Sequence, residues 1–438
     1  MDCDLIITNG TVLTVAPGSE ALPDGAVAVK AGEIVAVAPA RELLDQAPTA
    51  AVLDAGGGLI LPGFVNTHCH LAMVLLRGWA DDLPLKEWLE EHIWPVEARL
   101  MTADTVALGT TLAAAESVKA GVTCVCDMYF HAERVIEAVT RVGLRTVVTE
   151  GLIDFPTPAC PTPEVTLARL RELLQAYRDH PLVTPAVAPH APYSVSAANL
   201  VRAAELAEEF GAPLMIHLAE TRWEVETLAR DKGVTPAAYL ADLGVLSERT
   251  VAAHCVHVSE ADLDLLAEFD VGVASNPVSN LKLSSGVAPV PQMLSRGIRV
   301  SFGTDGAASN NTLDLLRDVQ FAALLYKGIT GDPTFMPART MVELLTLGGA
   351  RVLGLSERVG SLEVGKRADV VCLSLDAPHA VPVHDPWAHV AYAARAADVS
   401  HVVIDGRVVV QSGRLITVDE APLRAAARDV VSRLRASS

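Results

Sequence analysis

The chain has 438 residues, half of them hydrophobic, with 53 acidic against 34 basic side chains and a formal charge of −19. That length and apolar content imply a large folded core and exclude disorder. The negative balance excludes a nucleic-acid or anionic-membrane partner, because phosphates are repelled.

The seven cysteines, Cys3, Cys69, Cys124, Cys126, Cys160, Cys255 and Cys372, are odd in number and scattered, mostly in apolar runs. This is the usage of a reducing compartment, not a disulfide framework. Met1-Asp2-Cys3-Asp4 does not read as a secretory leader, and no uncharged apolar run has bilayer length. A cytoplasmic protein is expected.

The first elements read as strands. Leu5-Ile6-Ile7-Thr8 and Thr11-Val12-Leu13 flank Asn9-Gly10, a hairpin signal. A second pair flanks Ala31-Gly32. From residue 59 to 303 apolar runs alternate with helical patterns. The strands are expected at 59–65, 122–128, 146–152, 183–188, 214–218, 251–256, 271–275 and 300–303. Helices are expected at 105–119, 166–177, 197–210, 260–269 and 313–326. Eight strands alternating with helices predict an α/β fold of the (β/α)8 TIM-barrel type, with a doubly wound open sheet as the alternative. Strand patterns return at 368–373, 402–404 and 408–410, the last two around Asp405-Gly406. Each terminal set is too small for a sheet of its own. A composite β-sandwich from 1–57 and 359–438, with the barrel of 58–358 inserted, is the economical expectation.

In such barrels chemistry sits at the carboxyl ends of the strands. Those ends carry His68 and His70 in Asn66-Thr67-His68-Cys69-His70, then His190, then His217 and Glu220, then His254, then Asp305 before Gly306. Each has a bland reading. Asp305 could form a turn, Glu220 could cap the next helix, and His257 reads as structural. Jointly, His68, His70, His217 and Asp305 converge on the barrel axis, and three imidazoles with one carboxylate bind a divalent transition metal. Water activated there needs a proton acceptor. Glu220, three residues past His217, can take that proton and pass it to the leaving side. His254 can orient the nucleophile, and Asp305 can serve as both ligand and base. The reaction expected is hydrolysis at an electrophilic carbon of an amide, ester, amidine or aromatic C–N bond. A second metal would need a bridging carboxylate, for which only Glu150 offers itself, so one metal is expected.

The stretches Pro62-Gly63-Phe64-Val65-Asn66-Thr67-His68-Cys69-His70, Leu75-Leu76-Arg77-Gly78-Trp79-Ala80-Asp81-Asp82, His217-Leu218-Ala219-Glu220-Thr221 and Gly303-Thr304-Asp305-Gly306 resemble the amidohydrolase superfamily. Within it the chain is similar to the 5′-methylthioadenosine/S-adenosylhomocysteine deaminases. The resemblance implies one divalent metal per subunit on His68, His70, His217 and Asp305, usually Zn2+, with Fe2+ or Mn2+ as alternatives. It implies Glu220 as proton shuttle and purine contact, and His254 as the histidine assisting attack. It implies Glu97 on the ribose hydroxyls, with His190 and Trp88 beside the substrate. The expected reaction converts a 5′-modified adenosine to its inosine product and ammonia, in a homo-oligomer. The alternatives are a triazine chlorohydrolase, a guanine or pterin deaminase, or a silent scaffold that kept only the fold. Some relatives carry arginine where this chain has Glu150, and residues 154–164 contain no Arg or Lys. A less charged 5′ substituent than homocysteine is therefore expected.

Overall fold

The computed structural model describes residues 1–436. Four strands open the chain: β1 (Leu5–Val12), β2 (Leu22–Lys30), β3 (Glu33–Pro39) and β4 (Ala51–Pro62). The middle holds β5 (Phe64–Cys69), β6 (Val122–Tyr129), β7 (Arg145–Leu152), β8 (Val183–Pro185), β9 (Ala188–Pro189), β10 (Leu214–Leu218), β11 (Thr250–His254), β12 (Gly272–Ser275) and β13 (Arg299–Phe302). β14 (Val370–Leu373), β15 (Val399–Ile404), β16 (Arg407–Gln411) and β17 (Arg414–Leu415) close it.

The middle strands pair in parallel as two arcs, β5-β6-β7-β8 with β9 on β7, and β10-β11-β12-β13. One seam between the arcs is a parallel bridge from Val187 to Leu214. The other is a side-chain clasp. Asn66 Nδ2 donates to Thr304 Oγ1 at 2.7 Å, and Thr304 N donates to Asn66 Oδ1 at 3.1 Å. Asp305 N adds a 3.0 Å bond to His68 O. Gly303 permits this approach, since a Cβ there would stand 2.7 Å from His68 O.

The barrel interior is filled, not hollow: Val65, Cys124, Cys126, Val147, Met215 and Val251 pack on the helix Gly349–Val352 and on Leu355 and Val359. Helices wrap the outside, including Ala103–Lys119, Pro163–Ala176, Ala197–Phe210, Glu260–Glu268 and Leu315–Thr330. Their starts are chemically marked. Thr102 and Thr162 cap theirs, and Ser259 with Asp262 forms a capping box.

Both termini enter one eight-stranded sheet, in the order β17-β16-β15-β14-β4-β1-β2-β3. It is continuous and folds over itself. Val27, Val29 and Ile34 from one end share a core with Val370, Cys372 and Val403 from the other. The turns touch as well, for Ala368 N donates to Gly32 O at 2.8 Å and Gly406 N to Ala368 O at 3.0 Å. Ala31-Gly32 and Asp405-Gly406 have positive φ at both positions, the primed turn that suits a hairpin.

Three expectations change. Asn9-Gly10 makes no hairpin. β1 runs through it as a bulge with Asn9 at φ 57°, because β1 is a central strand paired on both sides to β2 and β4. The run 59–65 is two strands. β4 stays in the terminal sheet to Pro62, β5 starts the barrel at Phe64, and Gly63 makes the hand-over against Thr123. The run 183–188 is also split, since Pro185 has no N–H to continue the ladder. All seven cysteines are free. No helix among the described residues is long and apolar enough to cross a membrane.

Candidate active site and metal centre

The ends of β5, β10, β11 and β13 turn their polar residues into one chamber. Its walls include His70, Trp88, Glu97, His190, His217, Glu220, His254 and Asp305. His68 lies beneath them, fully buried.

The four expected ligands meet. Donor atoms of His68, His70 and His217 fall within 4.8 Å of one another, and so do those of His68, His254 and Asp305. Asp305 Oδ1 is 3.2 Å from His70 Nε2 and 3.5 Å from His68 Nε2. Backbone strain sets the last approach. Asp305 has φ 59°, and His254 and Cys255 have φ 72° and 49°, in the left-handed region that non-glycine residues avoid.

Outer partners fix which nitrogen each ring presents. His70 Nδ1 donates to Met128 O at 2.5 Å and His217 Nδ1 to His190 O at 2.9 Å, since a carbonyl only accepts. Both rings therefore offer Nε2 to the centre. Asp305 is held by Ser279 at 2.6 Å, Ser309 at 2.9 Å and Gly306 N at 2.8 Å. His68 has two buried ring nitrogens with no hydrogen-bond partner. A buried imidazole left bare in this way, beside two more and a carboxylate, fits a divalent cation.

The charges agree. Burial lowers His68 to about 4, and burial with the neighbouring histidines holds His217 well below its usual value. Burial alone would raise Asp305, yet the imidazoles of His68 and His70 beside it drive it well below the usual carboxylate range. His68 and His217 stay neutral, whereas Asp305, against the effect of burial, raises His70 to about 9, and a cation bound to this donor set would displace that proton.

Glu220 and His254 face each other across 3.7 Å between Oε2 and Nε2. Burial raises the Glu220 carboxyl, against the pull of His254. Thr221, not Glu220, caps the helix Arg222–Lys232, and the Glu220 carboxylate accepts a long 3.4 Å bond from Ser285 Oγ. His254 Nδ1 meets Asn280 Oδ1 at 2.8 Å. Glu97 is buried in the chamber wall, and Tyr129 OH donates to its Oε1 at 2.5 Å. His190 Nδ1 meets Ser194 Oγ at 2.7 Å, and burial lowers that ring to about 3.

Glu150 does not reach the centre. Its oxygens accept from His131 N at 3.1 Å and Ala132 N at 2.9 Å, at the start of the helix Ala132–Val142. His257 is structural, with Nε2 on Ser285 O at 2.7 Å. Sequence reasoning gave no role to Tyr129, Asn280, Ser279, Ser309 or Asp127. Asp127 Oδ1 receives Leu71 N at 2.6 Å and so holds the turn after His70. Asp127 and Tyr129 do stand at the end of an expected strand, which was the available signal.

The amidohydrolase family model matches residues 59–409. A 5-methylthioadenosine/S-adenosylhomocysteine deaminase from Syntrophobacter fumaroxidans is 47% identical over 416 residues, covering 95% of each chain. The crystal structure of an adenosine deaminase from Xanthomonas campestris with bound zinc superposes with a TM-score of 0.96 at 41% identity, covering 99% of each chain. An atrazine chlorohydrolase from Arthrobacter aurescens, complexed with zinc, gives 0.90 at 25% identity over 98% of this chain and 100% of its own. This chain belongs to the amidohydrolase family, where it resembles the 5-methylthioadenosine/S-adenosylhomocysteine deaminases, and it is a hydrolase of C–N bonds.

Proposed function

We propose that the chain removes the 6-amino group of 5′-modified adenosines by hydrolysis, giving the inosine product and ammonia. Its substrates are 5′-methylthioadenosine and S-adenosylhomocysteine, with adenosine and 5′-deoxyadenosine as further members. The observation that carries this reading is the shared chamber of Glu220, His254 and Glu97 beside the four-ligand centre. Relatives named for this reaction at 40–47% identity support it, against 25% for the chlorohydrolase.

His68, His70, His217 and Asp305 would hold one zinc ion per subunit. When bound, it supplies Lewis acidity that brings the ionisation of water near neutral pH. Glu220 accepts a proton from water and delivers it to a purine ring nitrogen, a task suited to its raised pKa. His254 orients the attacking oxygen through Nε2. Glu97 accepts from ribose hydroxyls through the oxygen Tyr129 leaves available. His190 and Trp88 hold the base and sugar in place. We place catalysis in the barrel, 58–358, with 1–57 and 359–438 as the flanking unit; residues 437–438 lie outside the described residues. A cytoplasmic homo-oligomer completes the reading; the odd number and scatter of the cysteines support the reducing compartment.

Glu150 is engaged with backbone N–H groups where an arginine could have paired with a homocysteine carboxylate. The chain therefore prefers methylthioadenosine to S-adenosylhomocysteine. The test is a panel of adenosines, guanine and atrazine, followed by ultraviolet absorbance and ammonia release. Faster turnover of guanine or atrazine than of any adenosine refutes the reading. A higher kcat/KM for S-adenosylhomocysteine than for methylthioadenosine refutes the preference alone.

A further inference from the structure

Glu220 reaches the chamber by an unusual route. On an extended strand, residues three apart point to opposite faces. His217 and Glu220 nonetheless line the same chamber. The break lies at Ala219, whose φ of 49° is left-handed although it is not glycine. Such a residue persists only where its surroundings hold it.

Ala219 is held on both sides. Its carbonyl accepts from Val256 N at 3.1 Å and His257 N at 2.8 Å, both just beyond β11. Its N–H goes to Glu224. Glu224 Oε1 accepts from Ala219 N at 3.0 Å, and Oε2 accepts from Glu220 N at 2.9 Å. Thr221-x-x-Glu224 is a capping-box pattern, in which the acidic side chain turns back to the N–H of the capping residue. Glu224 reaches past Thr221 and seizes the two residues before it. It does so while 1% exposed; burial raises its carboxyl, and the N–H groups of Ala219 and Glu220 pull it back toward the ionised form that accepts both bonds.

We propose that Glu224 is the positioning residue of Glu220: its two oxygens grip the N–H groups of Ala219 and Glu220, hold the left-handed turn, and thereby aim the Glu220 carboxylate into the chamber. The proposal rests on the reading of Glu220 as the proton-transfer group.

The test compares E224Q, E220Q and the double variant. The amide keeps the size of the side chain but offers one acceptor oxygen and turns an NH2 toward a backbone N–H. In E224Q, kcat for the best nucleoside falls roughly 10- to 100-fold, with KM and metal content close to the parent. In the E220Q background the second substitution adds no further loss, because the two residues act as one unit. Losses that multiply in the double variant overturn the proposal, and so does an unchanged kcat in E224Q. A crystal structure of E224Q gives a readout independent of turnover. Glu220 displaced, with His68, His70, His217 and Asp305 in place, supports the proposal; an unmoved Glu220 overturns it even if no adenosine is a substrate. Glu224→Asp, one methylene shorter, is read in the same two ways should E224Q not fold.

Discussion

The Tyr129 hydroxyl donates to Oε1 of Glu97 across 2.5 Å inside the chamber wall. This bond occupies one carboxylate oxygen and leaves the other for a substrate hydroxyl. Tyr129→Phe removes it without changing the ring. Expected is a KM for adenosines raised about 10-fold, the scale of one hydrogen bond to a charged group, with kcat little changed. A 2′,3′-dideoxy substrate, which has no diol, is expected to show no such rise. Steady-state kinetics on the matched pair of substrates checks this; equal effects on both would remove the ribose assignment of Glu97.

Glu97 also predicts a pH profile. Burial pushes its carboxyl up to about 7, against the pull of Tyr129. Only the ionised form offers a free oxygen that accepts without donating. Binding of adenosines, read as kcat/KM, is therefore expected to rise with pH through about 7. Glu97→Gln is expected to abolish that limb and leave a low plateau. Stability runs the other way. A pKa raised on folding means the contribution is present below about 4.5 and is lost as pH rises through about 7. The loss is about 3 kcal/mol at most. Denaturant unfolding at pH 5 and pH 8 measures it, and Glu97→Gln should narrow the difference between the two.

His254 carries a third prediction. Its Nδ1 lies 2.8 Å from Asn280 Oδ1 and 3.3 Å from Asn276 Nδ2, so the closer acceptor holds the proton on Nδ1. Nε2 is then bare toward the chamber, the form that can accept from a nucleophile. Asn280→Ala frees the proton to move to Nε2 and leaves the ring unanchored. Turnover is expected to fall about 10- to 100-fold with metal content unchanged. Asn280→Asp restores the acceptor and recovers part of the loss. A wild-type rate in Asn280→Ala would show that the ring needs no such anchor.

How much of this could be read from the chain depends on the kind of residue. His68, His70, His217, Glu220, His254 and Asp305 are polar residues at the ends of apolar runs, and the period-2 pattern together with the barrel rule places them. The terminal sheet was readable from Ala31-Gly32 and Asp405-Gly406 for the same local reason. Asn9-Gly10 misled, because two flanking ladders override a turn signal that is strong only in isolation. Gly63 hid the hand-over from sheet to barrel, since its meaning lies in the closeness of Thr123, distant in sequence. Asn280 carries no local mark, Tyr129 is marked only by its place at a strand end, and Glu224 reads only as a helix cap. Each acts by touching another side chain or a backbone N–H that only the closed barrel brings near.

The joint between barrel and terminal sheet supports a last prediction. Arg145, the first residue of β7, places Nε 2.7 Å from Asp369 Oδ2 and Nη2 3.0 Å from Oδ1. Asp369 stands just before β14 and also accepts from Asp405 N at 2.8 Å. Both charged side chains are 3% exposed or less, so neither can be hydrated once its partner is gone. Asp369→Ala leaves the guanidinium with the half-buried Asp405, 3.2 Å away, as its one charged partner beside the Pro181 carbonyl at 2.7 Å. Breaking a buried pair from one side costs about 3–5 kcal/mol, and denaturant unfolding should show a loss of that size. Replacing both, Arg145→Met with Asp369→Leu, removes the stranded charge and should cost less than either single change. The pair lies at the opposite end of β7 from the chamber, so kcat of the folded fraction at 25 °C should stay near the parent in all three variants. A double variant as unstable as the sum of the singles would mean that the pair supplies shape and hydrogen bonds to Asp405 and Pro181 beyond its charge.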